Sequence, residues 1–431
     1  MATLMTHPII RRTSPPQVVA VAPSRGSVRC GVVLASCLLM TSVALAEDIS
    51  VRASADVRVT GGSGENSWTQ GGFGKTRFGD GDAGTPFANA ALSVHWQVTP
   101  AWSLSTDVRY QPHLGSALSL TEAFARYRPV STGAWRWSVK LGEFFPPISL
   151  ENDGIGWTSL WTLTPSAINT WIGEELRTFG AEARIEHRGE ADTLSAGVAL
   201  FGANDPAGEI LASRGWSLSD LVAGIGSRLR EPDAYATSIG VAPPRRYDPF
   251  LEIDHRVGIY ADAEWTSAQY GRLRALYYDN RADPSTYHPF GAGDDLFSWR
   301  TRFVSVGAQT QIDRLELIAQ AMDGTTKVAP PGFASETHFS ATYVLAGWNL
   351  GAWRPALRLD AFTTRQTPDF PPRMSEHGNA LTFALNWRPR EWLRLTGEAL
   401  RIDSTRDARL SVGLAPRQVD TQIQLNARFL Y

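Results

Sequence analysis

Cysteine is nearly missing from this chain: two occur among 431 residues, Cys30 and Cys37. Both fall in an N-terminal segment that reads as an export leader. The predicted mature chain therefore has none, which excludes a disulfide framework, a thiolate metal site and a cysteine nucleophile. Long apolar runs are missing too. Beyond the leader no stretch approaches the ~20 apolar residues of a spanning helix, mean hydropathy is -0.18, and 19% of residues are charged. A helical membrane protein is thus excluded, but a β-barrel is not. Only every second residue of a barrel strand faces lipid, so its average hydropathy stays modest while alternation carries the signal.

The leader has the parts of a signal peptide. Arg11, Arg12, Arg25 and Arg29 precede an apolar run from Val32 to Ala46, which closes on Ala44-Leu45-Ala46, an A-x-A pattern ahead of Glu47. The expected division is a signal peptide over 1–46 and a barrel over 47–431. Leu34-Ala35-Ser36-Cys37 offers a lipoprotein reading instead, with a shorter apolar segment before its cleavage point. Without the leader's four arginines, 37 of the 41 basic residues remain against 43 acidic ones, a net charge of -6 that gives no hold on nucleic acid.

What the chain does have is alternation. At its end Val419, Thr421, Ile423, Leu425, Ala427, Phe429 and Tyr431 share one strand face, and Gln418, Asp420, Gln422, Gln424, Asn426 and Arg428 the other. Period-2 runs bounded by Gly, Pro, Asn and Asp predict sixteen strands. They lie near 48–60, 87–98, 102–112, 118–128, 135–143, 175–187, 192–202, 253–265, 269–280, 297–310, 314–323, 337–350, 354–366, 379–388, 391–403 and 418–431. Seven connections are short, around 99–101, 129–134, 188–191, 266–268, 311–313, 351–353 and 389–390, and they alternate with eight longer ones. A soluble sandwich has no reason to sort its loops by parity; an outer-membrane barrel does, with tight turns on the periplasmic side. The expected fold is all-β: a transmembrane antiparallel β-barrel of about 16 strands, the first closing on the last.

Tryptophan supports this orientation. Trp96 and Trp102, Trp135 and Trp137, Trp265, Trp348 and Trp353, and Trp387 and Trp392 all sit beside short turns, as an interfacial aromatic girdle would. Sixteen strands enclose a lumen too wide for side chains to fill, so a water-filled channel follows. The connection 144–174 is long, aromatic (Phe144, Phe145, Trp157, Trp161, Trp171) and stiffened by Pro146 and Pro147, which predicts a loop folded inward to constrict the lumen; a surface loop is the alternative. Inward parity falls on Arg52, Arg58, Arg126, Arg128, Arg136, Lys140, Arg272 and Arg274, opposed by Glu182, Glu186, Asp262, Glu264, Asp254, Glu316 and Glu398. The balance is slightly positive, a weak bias toward anions. Residues 203–252 suggest short helices and a Pro-rich return, either a lid, a partner surface or a loop without function.

The stretch from Leu141 to Asn152, with Glu122 to Pro129 before it, resembles the phosphate-selective porin O and P family through Gly142, Phe144, Pro146, Pro147, Ser149, Leu150 and Glu151. That resemblance implies a sixteen-stranded outer-membrane porin, usually trimeric, with an inward third loop. The family's phosphate selectivity rests on lumenal arginine and lysine ladders and basic loop residues, whereas this loop carries Glu151, Asp153, Glu174 and Glu175 and no Lys or Arg. The fold and transport role carry over; phosphate does not.

Two other function classes compete. A barrel hydrolase needs a nucleophile and a histidine base together, and His95, His113, His187, His255, His288, His338 and His377 are scattered with no Ser or acid at a diagnostic spacing. An adhesin or assembly barrel would need a plug or an extra domain, for which the predicted mature chain leaves no room. The sequence thus predicts a Gram-negative outer-membrane channel for small polar or anionic solutes, embedded in outer-membrane lipid, with no cofactor, no catalytic residues, no metal and no nucleic-acid partner.

Overall fold

The computed structural model describes residues 48–230, 246–288, 296–368 and 374–431, apart from 83, 85, 113 and 115. The predicted leader with its cleavage point, His113, and residues 231–245 of the long fourth loop lie outside the described residues. The chain forms one closed antiparallel barrel of sixteen strands. They are β1 (Ile49–Ser63), β2 (Pro86–Gln97), β3 (Trp102–Tyr110), β4 (Leu118–Tyr127), β5 (Trp135–Phe144), β6 (Thr178–Arg188), β7 (Asp192–Gly202) and β8 (Gly258–Ser267). The second half comprises β9 (Gly271–Asp279), β10 (Arg300–Ile312), β11 (Leu315–Val328), β12 (Ser335–Trp348), β13 (Trp353–Thr367), β14 (Glu376–Arg390), β15 (Leu393–Arg406) and β16 (Arg417–Leu430). Closure is the register Val57↔Ala427 and Val59↔Leu425 between β1 and β16, locked by a reciprocal pair of 2.9 Å backbone bonds between Ala53 and Tyr431.

The alternation resolves as expected for a barrel in lipid. Val57, Val59, Leu359, Leu381, Ile423 and Leu425 are exposed on the outer wall, while Arg58, Gln422, Gln424 and Asn426 are buried inside. An outer band this apolar is tolerable only in a membrane. The girdle tryptophans stand outward at the short-turn end, where Trp353 stacks on Trp387 at 5.3 Å and Trp102 meets Tyr127 at 4.9 Å. The barrel lies in the outer membrane.

Several strands begin later than their alternation predicted, among them the sixth, eighth and tenth. The sixth starts at Thr178 because α1 (Ala167–Glu175) precedes it, capped by the Ser166 side chain on the Asn169 amide. The eighth starts at Gly258 because the Asp205 carboxylate holds the amides of Ile253 and Asp254 in the loop. A bulge opposes Asp107 and Val108 to Glu122 and Leu120, so Thr121 is the extra residue of β4. Above it, β4 leaves β5, and the Ile225 amide from the fourth long loop bonds the Leu120 carbonyl at 2.8 Å in its place. Gly142 lets β5 run close to β4: at φ 134 any Cβ would press to 2.8 Å from Phe124 Cα.

Candidate pore lining and internal loops

Residues 145–177 lie inside the barrel, fastened to the wall by inward-facing side chains. Arg358 is fully buried and donates to the Thr164 carbonyl (2.7 Å), the Pro165 carbonyl (3.0 Å) and Thr162 Oγ1 (3.2 Å), with Asp360 at 2.8 Å as counter-ion. Glu398 accepts the Leu163 and Thr164 amides, Asp360 the Ala167 amide, and Asn386 donates to the Trp161 carbonyl at 2.7 Å. From other strands Arg274, Gln320 and Arg109 bond the carbonyls of Ser149, Ile148 and Gly156. The loop therefore touches β3, β9, β11, β13, β14 and β15 together. Its aromatic residues divide. Trp171 is buried among Trp216, Phe303 and Phe339, Phe145 stacks on Trp157 at 4.3 Å, Phe144 lies under Lys140 Nζ at 3.8 Å, and Trp161 packs over Gly347.

Most of the acidity of this loop is turned into its own scaffold, and only Asp153 reaches the lumenal cavity. Glu151 accepts the Ser166 amide and the Asn169 side chain and faces Arg358 at 3.6 Å. Glu174 pairs with Arg214 at 2.8 Å. Glu175 accepts the Gly208, Ile210 and Leu211 amides, which caps the start of α2 (Glu209–Arg214). Only Asp153 stays half-exposed, 3.6 Å from Arg272. Composition suggested an acidic loop surface; the folded loop spends three of its four carboxylates on its own scaffold.

Two further long loops occupy the extracellular half. In the fourth, residues 209–222 are buried: the Trp216 indole donates to the Thr363 carbonyl at 3.0 Å, and Thr301 Oγ1 and Arg406 bond carbonyls around α2. This segment is neither a surface lid nor an open partner face, because the wall's polar groups bind it inward. In the first, Lys75 lies 2.5 Å from Glu376 and Arg77 lies 2.9 Å from Asp220. Burial pushes the Lys75 ammonium down to about 8 although Glu376 opposes the shift. Asp220 also meets Arg58 at 2.9 Å; burial raises its carboxyl, but these two cations together hold it well below the usual range. Arg177, buried at the loop's end, donates to the Thr121 and Leu176 carbonyls at 3.0 and 2.5 Å and to Ala223, and stacks 3.5 Å from the Phe145 ring, joining β4 to both loops. Asp205, Glu252 and Asp254 bring three carboxylates within 4.8 Å of one another, and their oxygens accept backbone amides.

The open space lies in the periplasmic half, in three adjoining cavities of about 390, 240 and 200 Å³ that share Arg52 and His95 along their walls. Of the cations expected to line the pore, Arg52, Arg126 and Arg128 border these cavities. Arg136 is half-buried on the same wall. The others are engaged: Arg58 with Asp220, Lys140 with Glu182 at 3.4 Å, Arg274 with Glu264, and Arg272 with Asp153. The 390 Å³ cavity adds Arg354, Arg388 and Arg394, which sequence parity passed over, and Arg428, which alternation had placed on the polar face of the last strand. Arg428 serves Asp56 at 2.6 Å, but Arg52, Arg354, Arg388 and Arg394 have no carboxylate partner among the described residues. The signal was present: Arg354, Arg388 and Arg394 all flank two short turns, and the pairing of β13, β14 and β15 converges them.

One histidine and one serine that sequence spacing did not link are brought together by strand pairing. His95 Nδ1 lies 3.0 Å from Ser105 Oγ, because β2 and β3 pair these residues across their hairpin. No carboxylate is hydrogen-bonded to the other ring nitrogen among the described residues.

No protein-family model matches the chain, and no curated protein matches its sequence. Solved structures do. The outer membrane channel DcaP of Acinetobacter baumannii superposes with a TM-score of 0.52 at 12% identity, over 89% of this chain and 97% of that one. The fold is shared with that outer-membrane channel. Salmonella typhi OmpF, in complex with daunomycin, gives 0.48 at 11% over 89% and 97%, and Pseudomonas putida OprB 0.46 at 11% over 89% and 94%.

Proposed function

We propose that this protein is an outer-membrane diffusion channel for small anionic solutes, working as a porin without enzymatic activity and assembling as a trimer. One observation carries the charge preference: Arg52, Arg354, Arg388 and Arg394, which have no carboxylate partner among the described residues, surround a lumenal cavity of about 390 Å³ whose acidic lining residue is Asp153. Confined between low-dielectric walls, their field is weakly screened and lowers the entry barrier for an anion. In this reading the loop 145–177 sets the narrowest point, and kinship with the phosphate-selective O and P family rests on the Gly142–Glu151 stretch. Three of the four loop carboxylates are consumed within the scaffold, and Asp153 remains at the cavity wall, so residues 144–174 oppose anions with one carboxylate and still offer no Lys or Arg of their own.

The test is the reversal potential of the reconstituted protein across a bilayer in a potassium chloride gradient. The wild-type channel is expected to favour chloride, and Arg52, Arg354, Arg388 and Arg394 replaced together by Gln should move the potential toward potassium, more so at low salt. An unchanged potential in the quadruple variant would sink the assignment.

A further inference from the structure

The lumenal cavity of about 390 Å³ has two unlike walls. One is cationic. Arg354, Arg388 and Arg394 reach it from β13, β14 and β15, and neutral groups hold their guanidinium heads in place. The Glu391 carbonyl accepts from Arg388 at 2.7 Å, the Leu160 carbonyl accepts from Arg394 at 3.4 Å, and Arg354 Cζ lies 5.9 Å from the centre of the Trp161 ring. Carbonyls and a ring position these heads without cancelling their charge, so a site for an anion is organised before the anion arrives.

The other wall is aliphatic. Ile155 and Leu160 of the internal loop line the same cavity as Leu430 of β16. Leu430 breaks the inward face of its strand, which is polar at every alternate position from Gln418 to Arg428. Leu160 is 41% exposed although its loop lies inside the barrel. Hydrated ions gain nothing from such a surface, whereas a partly apolar solute removes it from water. The volume falls within the roughly 300–1,000 Å³ of small-molecule sites, which likewise join an apolar lining to a few fixed polar groups. Asp153 is the acidic lining residue, and Arg272 at 3.6 Å offsets it. We infer that this cavity binds organic anions with an apolar body, aromatic or alicyclic carboxylates, the acid group on the arginines and the hydrocarbon against Ile155, Leu160 and Leu430. The inference rests on the anion-channel reading above and narrows its solute class. Inorganic phosphate would use the cations and leave the aliphatic wall wet.

The experiment reads binding without conduction, by isothermal titration of the detergent-purified barrel with cyclohexanecarboxylate, acetate and cyclohexanol, each against protein-free micelles. Cyclohexanecarboxylate should bind more tightly than either of the others by about 10-fold or more, the least that one well-packed methylene confers. Ile155 and Leu160 replaced together by Ser should bring cyclohexanecarboxylate close to the level of acetate, leave acetate unchanged, and leave the potassium chloride reversal potential where it was. Equal affinity of the wild-type protein for cyclohexanecarboxylate and acetate, an arm that requires no variant to fold, would overturn the proposal. Equal affinity for cyclohexanol, or an undiminished margin in the double variant, would do the same. Chloride selectivity without this margin removes the subsite alone, and a failed reversal-potential test with the margin intact removes the selectivity alone.

Discussion

Arg358 and Arg394 are the same residue type on neighbouring faces of one barrel, in opposite circumstances. Arg358 has Asp360 at 2.8 Å, Glu151 at 3.6 Å and loop carbonyls around the rest of its guanidinium. Arg394 borders an open cavity and has only a 3.4 Å contact to the Leu160 carbonyl. The first builds the lumen; the second is left with charge to act on what passes. The contrast extends to whole halves of the molecule, since loops bound by matched ions fill the extracellular half and arginines without counter-ions line the periplasmic half.

Removing Arg358 should separate the two kinds most sharply. Arg358→Ala leaves Asp360 and Glu151 buried without their cation, expected to cost about 3–5 kcal/mol and to loosen the loop, raising single-channel conductance. Arg394→Ala should change stability by no more than ~0.5 kcal/mol while shifting the reversal potential. Denaturation of both variants in one detergent decides it; equal losses would mean that pairing does not distinguish them.

The next effect lies outside the lumen. Leu425→Arg, on the apolar band, is expected to cost about 2–4 kcal/mol, measured by urea unfolding in lipid. Leu425 was legible from sequence alone because alternation needs only parity. The lumenal face was harder to read. Alternation places Gln422 on the polar face of the last strand, yet it is buried there and its Oε1 accepts the Phe78 amide at 3.1 Å. Strand count, turn sorting and the tryptophan girdle are local patterns. Which inward charges remain free depends on loops such as 209–222 that join strands far apart in sequence, and no periodicity encodes that.

A smaller effect follows from pH. Asp205 is raised from 3.8 to about 7, first by burial and then by Asp254 and Glu252, while the Ile253 amide opposes the shift. A carboxyl whose folded value lies above its unfolded one binds the proton more tightly when folded, so its contribution is complete below about 4 and lost as pH climbs through about 7. The amides of Ile253 and Asp254 should therefore exchange hydrogen faster at pH 8 than at pH 5 after correction for intrinsic rates, and Asp205→Asn should flatten the difference.

The smallest effect is a predicted absence. Lys140→Gln combined with Glu182→Gln should leave selectivity nearly unchanged, because the two charges, 3.4 Å apart, already cancel one another. A large cationic shift would show that Lys140, and not the unpaired arginines, dominates the field, and would erase the comparison.

The bond between Ile225 and Leu120 bears on how the barrel is assembled. The upper end of β4 finds its partner a hundred residues later in the chain, not in the adjacent strand. Until residues 223–228 arrive, β4 above its bulge presents unsatisfied amides and carbonyls on a growing edge, which in hydrocarbon is among the costliest places to leave them. The seam between β4 and β5 is therefore a late event in biogenesis, delayed by the entropy of closing a long loop, and a nascent barrel stalled there has an opening in its side through which the fourth loop must still be drawn.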